Sequence, residues 1–434
     1  MPQRIVFLAA ALLMLAVTAF AAVPISTDAI AALVDEDGRI LFEGEEIETI
    51  FEVEAGALYA AGKKGAYQLV DAAGRCVCER VFSMIREADG WLIFREEGFY
   101  GVMNRSGEIV VEPVWTQLVS NGAGGFLALN GFWTDEQPDT VWVLKPGEEP
   151  EMTENAVVGG LSDISEDRMP FMTTAGRWGY LNGRGEVAVE ARWLSAGAFE
   201  NGVALVTGER GRGLIDRDGR SIVEADRPWM ERGKDLIAAM TAEGRLEVLS
   251  ADGRELRFSI ACESAQVVGG ALCAIDAQGV RLYRADGTLI CDAAPATRFL
   301  PGSDGQFIAI EGSWGELCQR LMDEEGRFLS EPRQRLMPLC PGLYQWMEMD
   351  GVTYYSADLG GLQTSWDYDS VRWGLMDGEG REVQPALFRE IRAVGEDRLL
   401  LIGDQTVILA DMEGSAIRVW LTVEDEAPSD EAGA

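Results

Sequence analysis

A glycine that follows polar turn residues and precedes a β-prone stretch returns along the whole chain. The copies are DEDGRILF (35–42), DAAGRCVC (71–78), NRSGEIVV (104–111), NGRGEVAV (182–189) and DRDGRSIV (216–223). They continue as SADGRELR (250–257), RADGTLIC (284–291), DEEGRFLS (323–330), DGEGREVQ (377–384) and DMEGSAIR (411–418), with a degenerate LKPGEEPE at 144–151. The turn glycines at 38, 74, 107, 147, 185, 219, 253, 287, 326, 380 and 414 are spaced by 36, 33, 40, 38, 34, 34, 34, 39, 54 and 34 residues. A self-similar period of this length means a propeller, a solenoid or an array, because one such unit cannot bury its apolar face alone.

Each copy has the same local chemistry. The glycine supplies the positive φ that a tight hairpin needs, after Asp, Asn or Ser that favour turns. A short strand precedes it, such as WGYLN (178–182), and an alternating strand follows, such as EIVVE (108–112). Eight residues past the glycine an aromatic recurs as Phe82, Trp115, Trp193 and Phe388, and a further apolar strand begins near position 17, as in GVALV (202–206). Four short strands per unit with a central hairpin predict an all-β fold of about ten or eleven four-stranded units, propeller-like in architecture. Ten full units and an N-terminal half-unit exceed the usual ring of about 4–8 blades, so an open β-solenoid or two rings are the alternatives. Closure is expected from residues 28–44 pairing with the last unit, which begins near Leu387.

A second glycine repeats six residues before the turn glycine: Gly101, Gly179, Gly213 and Gly374, preceded by Tyr100, Trp178, Arg212 and Trp373. Trp314-Gly315 is a displaced version. A glycine inside a strand is unfavourable unless something packs closely over it. The expected cover is the aromatic of the same or the next repeat, which makes the pair a staple between units. At a repeat-locked position, packing outweighs use of the Trp as a ligand platform.

On these residues the chain resembles the WG-repeat family. RWGYLNGRGEVAVEARWLSAGAFENGVALV (177–206), GFYGVMNRSGEIVVEPVW (98–115) and RWGLMDGEGREVQPALF (372–388) carry the resemblance, including Pro113 and Pro385. With degenerate copies it spans about residues 28–421. It implies a β-repeat fold and a binding or scaffolding role, and it brings no catalytic motif.

Composition narrows the function. The 434 residues include 37 Lys and Arg against 72 Asp and Glu, a formal net charge of −35, which opposes nucleic acid and anionic membranes. The absence of histidine excludes Ser-His-Asp and Cys-His catalysis and His-ligated zinc. The turn Asp residues Asp35, Asp37, Asp216, Asp218, Asp252, Asp286 and Asp377 read as turn formers rather than as glycosidase acids or a calcium loop. No cofactor and no metal site is expected. The seven cysteines are read as buried thiols, with one or two bridges allowed within 262–340.

At the N-terminus, Arg4, an apolar run from Ile5 to Val17 and Ala19-Phe20-Ala21 form a signal-peptide pattern over residues 1–21. The expectation is a secreted or envelope-located protein with no membrane span after cleavage. A repeat domain at 22–423 then precedes an acidic disordered tail at 424–434. Two stretches interrupt the repeat: NGFWTDEQPDT (130–140) and DGVTYYSADLGGLQTSWDYDSVR (350–372). Loops that depart from a rigid repeat are where function concentrates. Tyr354, Tyr355, Trp366, Asp367, Tyr368 and Asp369 in the second are the candidate binding residues, a mixture suited to protein or glycan contact. The expected function is a non-catalytic module binding a protein or cell-surface partner; the alternative is a carbohydrate-binding or carboxylate-based glycan-hydrolysing propeller.

Overall fold

A computed structural model describes residues 22–27, 30–44, 46–131, 138–277, 279–292, 296–312, 317–356, 361–395 and 397–421. Within them eleven antiparallel sheets of three or four strands follow one another along the chain, and a twelfth sheet is a two-stranded hairpin. The eleven are blades 1 to 11, at residues 23–43, 49–82, 84–115, 117–157, 158–193, 195–227, 229–261, 264–292, 296–333, 335–388 and 390–421.

Seven blades have four strands. Blades 2 and 9 keep the outermost strand only as isolated bridges (Val70 with Cys76, Tyr67 with Phe82; Met322 with Phe328, Gln319 with Arg333), and blade 5 keeps its innermost strand only as Val158 with Met172. Among the described residues, blade 1 has no innermost strand. Its turn glycine, Gly38, lies between Ala31–Val34 and Ile40–Glu43, the third and fourth positions elsewhere, so Val23–Ser26 occupies the second.

Burial follows from covering each sheet on both faces. Second strands are apolar at consecutive positions rather than alternating ones, as in Leu58–Lys63, Phe126–Leu129, Leu236–Met240 and Phe307–Glu311, each with at least four successive buried residues. Outermost strands such as Val187–Trp193 alternate, because only their inward residues meet a neighbour. Small side chains recur in the second strands (Ala60, Ala128, Ala204, Ala238, Ala309) and let adjacent sheets approach.

The chain forms one closed ring. An apolar cluster lies between every two consecutive blades, for example Leu58, Phe82, Leu92 and Phe94 between blades 2 and 3, or Leu236, Leu246, Val248 and Leu272 between blades 7 and 8. The same kind of cluster joins the ends: Val23, Ile25, Ala32 and Val34 of blade 1 pack on Val394, Leu400, Val407 and Leu409 of blade 11. The expected closure by the N-terminal unit therefore holds. It is face-to-face packing of a separate sheet rather than strand pairing, and it removes the open solenoid and the double ring.

Four-stranded blades share one winding. Strands nearest the axis approach their counterparts in the next blade, as Thr49–Glu54 does with Met84–Ala88 and Trp229–Arg232 with Ser264–Val268. A single residue links Trp115 to Gln117, Trp193 to Ser195 and Arg227 to Trp229, so an outer strand ends on the face where the next inner strand begins. On that upper face also lie all connections between second and third strands. Turns bearing the repeated glycines lie on the lower face.

Candidate functional site

The repeated glycines divide two structural tasks between them. In four blades the third strand meets the fourth through the same irregular register. Tyr100 pairs with Trp115 and Val102 with Val111; Trp178 pairs with Trp193 and Tyr180 with Val189. Likewise Arg212 pairs with Arg227 and Leu214 with Val223, and Trp373 pairs with Phe388 and Leu375 with Gln384. Two positions on the third strand thus face four on the fourth, which makes a two-residue bulge. The glycine lies under that bulge. A Cβ on Gly179 would stand 2.5 Å from the Val189 carbonyl oxygen and 2.8 Å from the Ala191 nitrogen. At Gly213 the same atom would be 2.6 Å from the Val223 oxygen, at Gly101 2.8 Å from the Val111 oxygen, and at Gly374 2.7 Å from the Gln384 oxygen.

The expected aromatic cover from the same repeat is present at Gly101 and Gly374, where Phe94 and Trp346 of the second strand lie closest, alongside the outer-strand backbone that covers all four glycines; the contact lies within one blade, so the expected staple between units is corrected. Contact between blades belongs to the turn glycine instead. Gly107 lies against Cys78, Gly185 against Thr153, Gly219 against Val189, Gly253 against Leu214 and Gly287 against Phe258, each on the preceding blade. Trp314 and Gly315 lie outside the described residues.

The turns confirm the reading of their acids as turn formers. Asp216 Oδ1 accepts from the amides of Asp218 and Arg220 at 3.0 and 2.9 Å, and Asp377 Oδ1 from those of Glu379 and Arg381 at 2.9 Å each. Burial alone would raise the Asp377 carboxyl, but the Arg381 amide and guanidinium outweigh it and hold it below the usual value. The seven cysteines are free thiols spread over several blades, so the bridges allowed within 262–340 do not form. Burial pushes the Cys273 thiol up to about 11.

The second interruption builds a defined feature. Its strands Gly351–Ser356 and Gly361–Trp366 pair as a hairpin inserted between the second and third strands of blade 10, on the upper face. The pairing sets Tyr354 opposite Gln363, Tyr355 opposite Leu362 and Trp366 opposite Gly351. A 3₁₀ turn at Tyr368–Ser370 follows, and Asp367 caps it by accepting from the Asp369 amide at 3.1 Å. Ser370 Oγ donates to the Asp367 carbonyl at 2.6 Å and accepts from the Asp350 amide at 2.8 Å, which ties the turn to the hairpin base. The Asp367 carboxylate is therefore engaged in capping. Asp367, Tyr368 and Asp369 are all exposed, Tyr368 at 76%.

The first interruption lies between Phe126–Leu129 and Asp139–Leu144, the second and third strands of blade 4, hence on the same face; residues 132–137 lie outside the described ones. Between the outer strands of blades 5 and 6 the rim bears a depression of about 380 Å³ lined by Arg192, Trp193, Glu209, Arg210, Ser221 and Glu224. The Arg192 guanidinium stacks 4.7 Å over the Trp193 ring. Sequence reasoning treated Trp193 only as packing; its place at the end of an outer strand, beside a connection, is what exposes this groove. Among the described residues, no group of three or more Cys, Asp or Glu is placed to hold a metal ion, and no helix is long and apolar enough to cross a membrane.

An eleven-blade ring of radial antiparallel sheets is a β-propeller. Two of its copies are similar to a known repeat: the WG containing repeat matches residues 100–127 and 178–207, in both of which the glycine lies beneath the outer-strand bulge. A comparison with curated proteins found no match. Among solved structures, BamB from Moraxella catarrhalis is similar at 12% identity and a TM-score of 0.30, over 66% of this chain and 94% of that one. A eukaryotic initiation factor is similar at 11% identity and a TM-score of 0.39, over 92% and 96%, and Sqt1 from Saccharomyces cerevisiae at 13% and 0.28, over 62% and 91%.

Proposed function

We propose that this propeller is a non-catalytic binding platform working beyond the cytoplasmic membrane, with its upper face as the contact surface for a protein partner. The observation that supports this is shared placement: both interruptions of the repeat extend the same kind of connection, in blades 4 and 10, and so project from one face of a rigid ring. Tyr368 and Asp369 at the foot of the blade 10 hairpin lie on that face, and the Arg192–Trp193 groove lies on the rim between blades 5 and 6. An exposed Tyr beside a carboxylate and an Arg-stacked Trp are side chains enriched in protein contacts. The leader pattern supports the location.

The test is a pull-down from a cell-envelope extract at low and high salt, comparing the full chain with one in which residues 352–365 are replaced by a two-residue turn, alongside binding to a glycan array. A discrete protein retained at high salt by the full chain and lost on hairpin removal supports the reading. Saccharide binding with no protein partner replaces it with the glycan reading.

A further inference from the structure

Of the seven cysteines, only Cys76 and Cys78 stand two residues apart, and Cys76 is the exposed one. The other five lie at 262 and beyond, none of them in blade 2 or in blades 1 and 3 beside it. Cys273 and Cys291 share a row of blade 8, but Leu282 on the strand between pairs with both and keeps them apart. The pair in blade 2 has no such spacer.

Its backbone is released from regular pairing. The outermost strand of blade 2 survives only as the bridges Val70 with Cys76 and Tyr67 with Phe82, and residues 77–81 between them belong to no strand. The chain bends at Val77. In an extended strand, residues two apart hold their Cα atoms about 7 Å apart, at the limit of what a disulfide spans, and a bend shortens that distance. The side chain follows the bend: Cys76 Sγ donates to the Cys78 carbonyl at 2.8 Å, so the exposed thiol curls back over its neighbour. Cys78 faces inward. It packs on the apolar cluster of Leu58, Phe82 and Leu92, and a Cβ built on Gly107 of blade 3 would stand 2.9 Å from the Cys78 Cβ. Burial holds the Cys78 thiol above its ordinary range, against the Arg80 amide that donates to its sulfur.

We infer that Cys76 and Cys78 form a thiol–disulfide exchange site for small-molecule disulfides, with Cys76 as the attacking thiol and Cys78 as the resolving one. Cys76 is open to solvent while Cys78 is covered by blade 3, so an oxidant meets Cys76 first. The Cys76 thiolate attacks one sulfur of the small disulfide; that S–S bond breaks, a mixed disulfide forms on Cys76, and one small thiolate leaves and takes up a proton. The Cys78 thiolate then attacks Cys76 Sγ, the second small thiol leaves, and a Cys76–Cys78 bond remains. Two thiols of the chain are oxidised and one small disulfide is reduced to two thiols. Cys78 can turn outward for the second step because no ladder holds residues 77–81.

The test uses the full chain, reduced and then held in glutathione disulfide at pH 8, quenched with acid and read by intact mass and peptide mapping. The expected product is a Cys76–Cys78 bridge with no glutathione retained. Cys78→Ser should stop at a stable glutathione adduct on Cys76. In Cys76→Ser the remaining Cys78 should react about tenfold or more slowly than Cys76 does in Cys78→Ser, as a covered thiol lags an exposed one. A parent chain that keeps glutathione on Cys76, a bridge from Cys76 to any other cysteine, or a Cys78 that reacts as fast as Cys76 overturns the assignment. The product formed by the parent chain decides between bridge and adduct, so the result does not depend on either variant folding.

Discussion

Gly38 of the first blade lies against Arg418 of the last, so closely that a Cβ on Gly38 would stand 2.6 Å from the Arg418 Cβ. The seam thus uses the contact that joins most internal neighbours, a bare turn glycine set on the preceding blade's outer strand. A polar link reinforces it: the Arg392 guanidinium donates to the Ser26 carbonyl, while Ser26 Oγ donates to Thr49 Oγ1 of blade 2 at 3.0 Å. The ring closes because blade 1, though short, keeps the two strands that carry this contact.

Substituting Gly38 by Ala is expected to cost more than the same change at Gly147. Both have positive φ, so each pays the left-handed strain of about 1–2 kcal/mol. Gly147 has nothing within 4 Å of a built Cβ, whereas Gly38 meets Arg418. Chemical denaturation should show a further loss of about 1–3 kcal/mol for Gly38→Ala, from overpacking at the seam. Equal losses would mean that the closing contact is absent in solution.

Gly179→Ala should be destabilising by about 1–3 kcal/mol although its φ is unexceptional, because the added carbon meets backbone on the bulged strand. Trp178→Phe should cost less, since the ring can still lie opposite Trp193. Thermal melts of the two variants check the order. A harmless Gly179→Ala would show that the bulge can move away.

Asp377→Ala removes the acceptor for two backbone amides and one exposed Arg, and a loss of about 1 kcal/mol at neutral pH is expected. The folded carboxyl titrates below its ordinary value of about 3.9, so its contribution is present above that pH and is lost as pH falls through the lowered folded value. The melting difference between parent and variant should therefore stay constant from pH 7 to 5 and shrink below about pH 4. A gap that persists at pH 2 would assign the effect to backbone geometry.

Thiol labelling separates exposed from buried cysteines. Cys76 is exposed, while Cys273 is buried with its thiol pushed up to about 11, so at pH 8 Cys76 should react within minutes and Cys273 only on unfolding. Rapid labelling of Cys273 in the folded protein would place a gap between blades 8 and 9.

Much of this fold is legible in the period of the turn glycines, since Gly38 through Gly414 mark a third-to-fourth-strand hairpin in each blade. What the period cannot carry is register. The bulge over Gly101, Gly179, Gly213 and Gly374 exists only between two paired strands, so from one strand the glycine looked like a seat for an aromatic. Closure was equally hidden, because whether Val34 meets Leu400 depends on small rotations accumulated over eleven sheets. Of the candidate binding residues, the sequence marked the excursion but could not show that Asp367 caps a 3₁₀ turn beside exposed Tyr368.

The most direct measurement is electron microscopy of the purified full chain, with class averages viewed along and across the ring axis. Eleven radial spokes in a closed annulus, with one protrusion on a single face at the blade 10 hairpin, are the predicted result. An open arc, two smaller rings, or protrusions from both faces would contradict the closed platform and its single contact surface.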